Sequence, residues 1–336
     1  MKLEEFYYVL PKELIAQYPL KARDSARLLV LDRKNNTFVH KCFANIADYL
    51  KKGDLLVLND TKVLPARLIG NKPTGGKVDV LLLDKDNDVF HALIKPNLGL
   101  NTKVLFDGGR ISAEVIAKGR LRFNTQNESD IYKFGIMPLP PYIKRIPDEA
   151  DARTYQTVFA KIPGAVASPT AGLHFTNTLI KRIKEKGINI AYITLHVNYA
   201  TFKPVKEEDI TKHKMYKEYY NIPLKTIQAI KKTKVSNNRI MAVGTTVCRA
   251  LETIANLEPI PYLEEKAYSG HTELFIFPGY EFKLTDYLVT NFHLPHTTLL
   301  MLVSAFAGRD SISKAYNEAI EKRYRFYSYG DAMLII

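Results

Sequence analysis

The chain has 336 residues, 46% hydrophobic and 25% charged, which excludes a disordered or low-complexity protein and is long enough for two cores. Its formal net charge of +13, from 48 Lys+Arg against 35 Asp+Glu, favours an anionic partner, nucleic acid first and an acidic membrane second; a lysine-favouring genome is the plain alternative. Two distant cysteines, Cys42 and Cys248, exclude a disulfide scaffold and a cysteine-based zinc site.

In chain order, "MKLEEFYYVLPKELIAQYPL" carries acids and a proline where a signal peptide needs an apolar core, so a reduced cytoplasmic setting without membrane attachment is expected. The most apolar run, "LLMLVSAFAG", is about half the length that spans a bilayer. "ARLLVLDR" and "DLLVLND" are continuous apolar runs that suit strands covered on both faces. Between them, "ANIADYLKKG" has helical spacing and stops on Gly53.

From Leu64 to Ile143 the texture changes to six short strand-like runs: "LPARLIG", "KVDVLLLD", "DVFHALIKP", "TKVLFDG", "RISAEVIA" and "RLRFNTQ". Gly, Asp, Asn and Pro separate them, as in a small antiparallel barrel or sandwich. "TGGK" between the first two reads as a hairpin turn. Pro138, Pro140 and Pro141 then predict a stiff extended strap. After Arg153 the α/β pattern returns. The expected architecture is therefore one discontinuous α/β, barrel-like domain (1–63 and 153–336) interrupted by an antiparallel β-barrel (64–152).

Three strand-to-helix corners stand out in the α/β part. "GAVASPTAGLHFT" leads into "NTLIKRIKEKG", which places Leu179, Ile180 and Ile183 on one helix face and ends on Gly187. "RIMAVG" runs into "TTVCRALETIANLE", and "YLVTNF" passes through "HLPH" into "TTLLMLVSAFAG". Ligands of α/β sheets bind outside the carboxyl ends of parallel strands, where free N–H groups and helix dipoles point. Thr170, Thr176, Thr245, Thr246, Thr297 and Thr298 are each either caps or site hydroxyls. Together the three corners predict one shared polar site.

His174 and His196 each end an apolar run and are either half-buried structural groups or catalytic ones. His293 and His296 have a metal-like spacing without a third ligand, so no metal is expected. Asp60 is either a turn residue or a site carboxylate, and Arg67 either a solvated or a site cation. The phosphate-binding glycine fingerprints G-x-G-x-x-G and G-x-x-x-x-G-K-[ST] are missing. Residue chemistry alone stops at a basic two-domain α/β protein with a multi-loop site.

The runs "IAQYP", "RDSARLLVLDR", "GDLLVLNDTKVLPARL", "MPLPPYIKR", "YQTVFAKIPGAVASPTAGLHFT", "VGTTVCRALE", "VTNFHLPHTTLLMLVSAFAG" and "YRFYSYGDAMLI" extend over essentially the whole chain. In them the sequence resembles the S-adenosylmethionine:tRNA ribosyltransferase-isomerase family of the queuosine pathway. The resemblance implies an α/β barrel-like fold with an inserted β-barrel. It also implies transfer and isomerisation of the S-adenosylmethionine ribosyl group onto 7-aminomethyl-7-deazaguanine at the tRNA wobble position. Epoxyqueuosine-tRNA, adenine and methionine would be the products. S-adenosylmethionine is then a co-substrate, no cofactor is needed, and a cytoplasmic monomer acting on the anticodon region is expected.

The implied chemistry needs a base for a ribose C5′ hydrogen, an acid for departing adenine and a neutral amine. Candidates for the proton transfers are His174, His196 and Glu273. Arg249 is the candidate for the methionine carboxylate, and Thr170, Thr245, Thr246 and Asn291 for ribose or adenine, with His293, Asp60 and Arg67 completing the substrate-binding set. Dispersed Lys and Arg, including "KRIKEK" and "IKKTK", would serve tRNA phosphates.

The sequence also departs from the family pattern. LHVG-x-GTF becomes "LHVNYATF" with Asn198 and Ala200, M-H-x-E becomes "MYKE" with Tyr216, and GWTD becomes "GHTE" with His271 and Glu273. A catalytically weakened RNA- or adenosyl-ligand-binding relative is the alternative these departures raise.

Overall fold

Apolar residues on both faces of the same short strands call for a sheet sandwiched between layers, and a computed structural model of the chain has that arrangement. It describes residues 1–199, 204–258 and 263–336. The strands are β1 (Arg27–Asp32), β2 (Thr37–Cys42), β3 (Leu55–Asn59), β4 (Thr61–Val63), β5 (Arg67–Asn71), β6 (Lys77–Asp86), β7 (Val89–Lys95), β8 (Lys103–Phe106), β9 (Ile111–Ala117), β10 (Arg120–Phe123), β11 (Ile162–Ala165), β12 (Asn189–Leu195), β13 (Glu218–Ile222), β14 (Ile240–Val243), β15 (Tyr268–Thr272), β16 (Tyr287–Asn291) and β17 (Ala332–Ile335). The helices are α1 (Glu128–Lys133), α2 (Asp151–Thr154), α3 (Asn177–Glu185), α4 (Leu224–Val235), α5 (Thr245–Leu257), α6 (Thr298–Ala307) and α7 (Arg309–Glu321).

Nine strands form one mixed sheet in the order β15-β13-β12-β3-β14-β16-β17-β1-β2. The four neighbours β12, β3, β14 and β16 are mutually parallel, so their carboxyl ends share one edge. β17 runs antiparallel to β16, with Ala332 opposite Asn291, and β1 runs parallel to β17. The segments entering β17 and β1 therefore lie on that same edge. Alternation divides the core by face. Leu29, Leu31, Leu55 and Val57 pack with α4, α5, α6 and α7, while Leu28, Val30, Leu56 and Leu58 pack with α3. Leu179, Ile180 and Ile183 of α3 are all buried there, as their spacing requires, and Thr176 caps that helix by accepting from Leu179 N at 3.1 Å.

The six strand-like runs become β5 to β10, and these close into an antiparallel barrel in the order β10-β7-β6-β5-β8-β9. Its interior is filled by alternate residues such as Val78, Val80 and Leu82 of β6 against Phe90, Phe106 and Phe123. The α/β class with an inserted antiparallel barrel is thus as the sequence implies, but the α/β domain is built on a nine-stranded sheet with β15 and β2 at its edges and not on a barrel-like one. "TGGK" forms the β5–β6 turn, closed by Lys72 N to Gly76 O at 2.7 Å. Two local expectations need correcting. "ANIADYLKKG" forms a 3-10 helix (Phe43–Tyr49) that buries Phe43, Ile46 and Ala47, with its C-terminal turn outside the helix. A short α1 also follows the last barrel strand, begun by Asn127 accepting from Ser129 N at 3.1 Å, within a segment read as strands alone.

Candidate functional site

All three strand-to-helix corners line one cleft. Ser168, Pro169, Thr170 and Ala171 form one side, Gly244, Thr245 and Thr246 another, and Thr290, Asn291, Phe292, His293, Leu294 and Thr297 a third; Tyr142, Tyr327 and Ser328 complete the rim. The parallel strands bring β14 and β16 to a common edge, and the first corner folds against it through the 3-10 segment Thr170–His174. Gly244 ends β14 with φ +92° and ψ 152°, a conformation reserved for glycine, and its N–H donates to Val289 O at 2.8 Å. That corner lets α5 start directly at the cleft. Its first intrahelical bond is made by Cys248 N to Gly244 O, so the N–H groups before it have no partner inside the helix.

No residue lining this cleft is Lys, Arg, Asp or Glu. Its polarity comes from hydroxyls, one amide and one imidazole. Asn291 is 2% exposed; its Nδ2 donates to Tyr327 O at 3.0 Å and lies 3.3 Å from His174 Nε2. Those acceptors fix the amide orientation, which leaves Oδ1 buried without a hydrogen-bond partner. Ser168 Oγ is a second buried atom in that condition. Both are polar positions that a ligand can satisfy.

The expected site residues separate into groups. Thr170, Thr245, Thr246, Asn291 and His293 line the cleft together. His293 Nε2 pairs with Thr290 Oγ1 at 2.7 Å, the backbone N–H of His293 donates to Tyr316 Oη at 2.9 Å, and burial pushes the imidazole pKa down to about 3. His174 stands directly behind Asn291. It is 5% exposed, its ring packs 4.8 Å from that of Phe43, and it hydrogen-bonds the backbone of Arg23. Burial, with the Arg325 and Arg23 guanidiniums nearby, depresses its pKa to about 4, so it is a neutral imidazole at physiological pH.

His196 and Asp60 form a second cluster at the ends of β12 and β3. His196 Nδ1 lies 2.8 Å from Thr61 Oγ1, and Thr194 Oγ1 donates to Asp60 Oδ1 at 2.6 Å. Burial lowers the His196 pKa against an opposing pull from Asp60, and burial raises that of Asp60. Gly164 makes room for the imidazole, since a Cβ there would sit 2.6 Å from His196 Cε1. Val197, the next residue, lines the cleft.

The remaining three candidates point elsewhere. Arg249, 4% exposed, pairs with Glu218 and donates from Nε to Leu274 O at 3.0 Å, which ties α5 to β13. Arg67 makes a two-pronged pair with Asp79 on the barrel, at 3.0 and 2.5 Å. Glu273 is exposed, just beyond β15.

The departures from the family pattern also have places. Asn198 is outside the left-handed residues of the described chain, and its N–H donates to Glu218 Oε1 at 2.9 Å. Tyr216 is exposed, and His271 meets the Tyr219 ring edge-on at 5.8 Å while Tyr219 stacks on His196. Ala200 lies outside the described residues. Sequence reasoning missed Tyr142 and Ser328, whose hydroxyls are 2.5 Å apart at the cleft rim. The only signals for them were the proline strap and the aromatic run "YRFYSYG", neither of which announces a chemistry.

Comparison with known proteins gives the same result throughout. The family profile described as "Queuosine biosynthesis protein" matches residues 3–335. S-adenosylmethionine:tRNA ribosyltransferase-isomerases from Sulfurihydrogenibium sp. (strain YO3AOP1), Aquifex aeolicus and Thermotoga maritima are 54%, 53% and 48% identical, each over 100% of both chains. The crystal structure of S-adenosylmethionine tRNA ribosyltransferase from Thermotoga maritima superposes with a TM-score of 0.59 at 39% identity, covering 99% of this chain and 100% of that one. By full-length similarity of sequence and by fold, this chain belongs to the S-adenosylmethionine:tRNA ribosyltransferase-isomerase family of queuosine biosynthesis.

Proposed function

We propose that this protein transfers and isomerises the ribosyl group of S-adenosylmethionine onto 7-aminomethyl-7-deazaguanine at the wobble position of tRNA. The products are epoxyqueuosine-tRNA, adenine and methionine. Family membership supplies the reaction, and the single structural observation that supports its location is the uncharged cleft where three helix-start corners meet. A cleft rich in hydroxyls suits a ribose, and the unpaired Oδ1 of Asn291 and Oγ of Ser168 are matched to hydroxyl or exocyclic amine donors. The start of α5 suits the methionine carboxylate better than Arg249, whose Nη1 and Nε are engaged with Glu218 and Leu274 O and whose Nη2 is buried without a partner.

In this reading His174 works as a neutral imidazole that orients Asn291. The proton transfers fall to His196 with Asp60, an imidazole and a carboxylate whose charges act on one another. Glu273 has no place in it unless the substrate reaches β15. S-adenosylmethionine is consumed as a co-substrate and no cofactor takes part. Residues 64–152 act as an inserted domain, the protein works as a cytoplasmic monomer, and the anticodon region of tRNA is its target. Among the described residues no helix is long and apolar enough to cross a membrane.

The test is incubation with S-adenosylmethionine and tRNA carrying the deazaguanine precursor. Adenine and methionine should appear in equal amounts with a matching mass gain on the tRNA. Retained tRNA binding without adenine release would replace this reading with a binding-only relative.

A further inference from the structure

A second cleft lies on the other side of the wall formed by His174 and Ser328. Ser328 lines both clefts, and His174, with Leu173, lines the second one. Its position follows from topology. The first cleft stands over the ends of β14 and β16, and the second stands over the entries to β17 and β1, farther along the same sheet edge. The two differ in charge. The second is lined by Lys21, Arg23 and Arg153, and no Asp or Glu lines it.

These cations lack local carboxylate partners. Arg23 Nη1 donates to Gln156 O at 2.7 Å and Leu173 O at 3.3 Å, and its Nη2 donates to Arg153 O at 2.9 Å. Carbonyl acceptors orient a guanidinium but leave its charge uncompensated. Lys21 and Arg153 are exposed, and among the described residues neither forms an ion pair with a carboxylate. Of the nearby acids, Asp151 pairs with Arg145 and Asp331 with Arg27, while Asp24 Oδ2 accepts from Thr176 Oγ1 at 3.0 Å. The cleft therefore offers a fixed positive charge with two exposed ones at its rim.

We propose that this basic cleft holds a backbone phosphate of the RNA substrate, placing the adjoining nucleotide over the His174–Ser328 wall and into the uncharged cleft. The proposal rests on the reaction assigned above. The methionine carboxylate is the other anion the reaction contains. A phosphodiester fits better, because exposed rim cations match a chain that stays in solvent on both sides of the contact. The reading above assigns the carboxylate to the start of α5, inside the uncharged cleft.

Lys21→Gln/Arg153→Gln tests this, since both side chains are exposed; Arg23 is left intact because it braces three backbone carbonyls. The probes are S-adenosylmethionine and an anticodon stem-loop RNA carrying the precursor base. For the double variant, KM for the RNA should rise about 10-fold or more, with KM for S-adenosylmethionine within about twofold of wild type. The slope of log K for RNA against log salt should fall by roughly 0.7, for the loss of one phosphate contact. A raised KM for S-adenosylmethionine with unchanged RNA binding would assign the cleft to the carboxylate and overturn the proposal. Wild-type RNA affinity and salt slope would overturn it as well. If the wild-type protein releases no adenine, the reaction fails, yet RNA affinity and its salt slope still decide the subsite independently.

Discussion

At Asn291 the amide nitrogen faces Tyr327 O and His174 Nε2, while Oδ1 has no partner in a nearly closed environment. An unsatisfied buried acceptor costs about 1–3 kcal/mol, which a ligand donor recovers on binding. Asn291→Ala should therefore lower kcat/KM for S-adenosylmethionine roughly 10- to 100-fold, measured by adenine release; a wild-type value would remove Asn291 from the site. His174 and His293 make a separate prediction through stability. Their native pKa values of about 4 and about 3 lie below the ordinary histidine value of 6.5. Between those values the unfolded chain binds protons that the native protein does not, so their stabilisation is complete above about pH 6.5 and is lost as pH falls. Each contributes a slope of ~1.4 kcal/mol per pH unit within its window. The urea midpoint should drop from pH 7 to pH 5, and His174→Gln/His293→Gln should flatten that dependence; equal slopes in the two proteins would refute it.

Among the elements, α5 carries two separable duties. Its start faces the cleft through Gly244, whose φ of +92° excludes a side chain without strain. Gly244→Ala should cost about 1–3 kcal/mol in denaturant unfolding and weaken S-adenosylmethionine binding by calorimetry; intact affinity would separate the helix start from the ligand. One turn later α5 is anchored by Arg249 to Glu218 of β13. Removing one partner of a buried ion pair leaves the other charge uncompensated, at about 3–5 kcal/mol. Arg249→Met should thus appear as lost stability, with KM for S-adenosylmethionine near wild type in the fraction that remains folded. A selective rise in that KM would restore Arg249 as the carboxylate ligand. The sequence makes the start of α5 readable, because glycine before threonines at a strand end is a local signal. The Arg249–Glu218 pair was not readable, because the partners are 31 residues apart and meet only after β13 joins the sheet.

For the whole molecule, a net charge of +13 makes tRNA affinity strongly salt-dependent. Log K against log salt should be linear with a negative slope of several units, whereas S-adenosylmethionine affinity, for the uncharged cleft proposed to hold it, should change little over the same range. A flat tRNA profile would deny the charge its assigned partner. The six barrel strands, the strand-to-helix corners and the buried face of α3 were determined by sequence alone, because alternation, 3.6-residue spacing and turn chemistry act over a few neighbouring residues. Family motifs added the reaction. What only the tertiary structure decided is which polar groups share a space. It placed Thr170, Thr245, Thr246, Asn291 and His293 in one cleft and set His174 behind Asn291 as a neutral group. It engaged Arg249 and Arg67 in ion pairs, left Glu273 in solvent, and gathered Lys21, Arg23 and Arg153 beside Ser328. Burial, charge pairing and pKa depend on groups far apart in the chain, and the order of strands in the sheet brings those groups together.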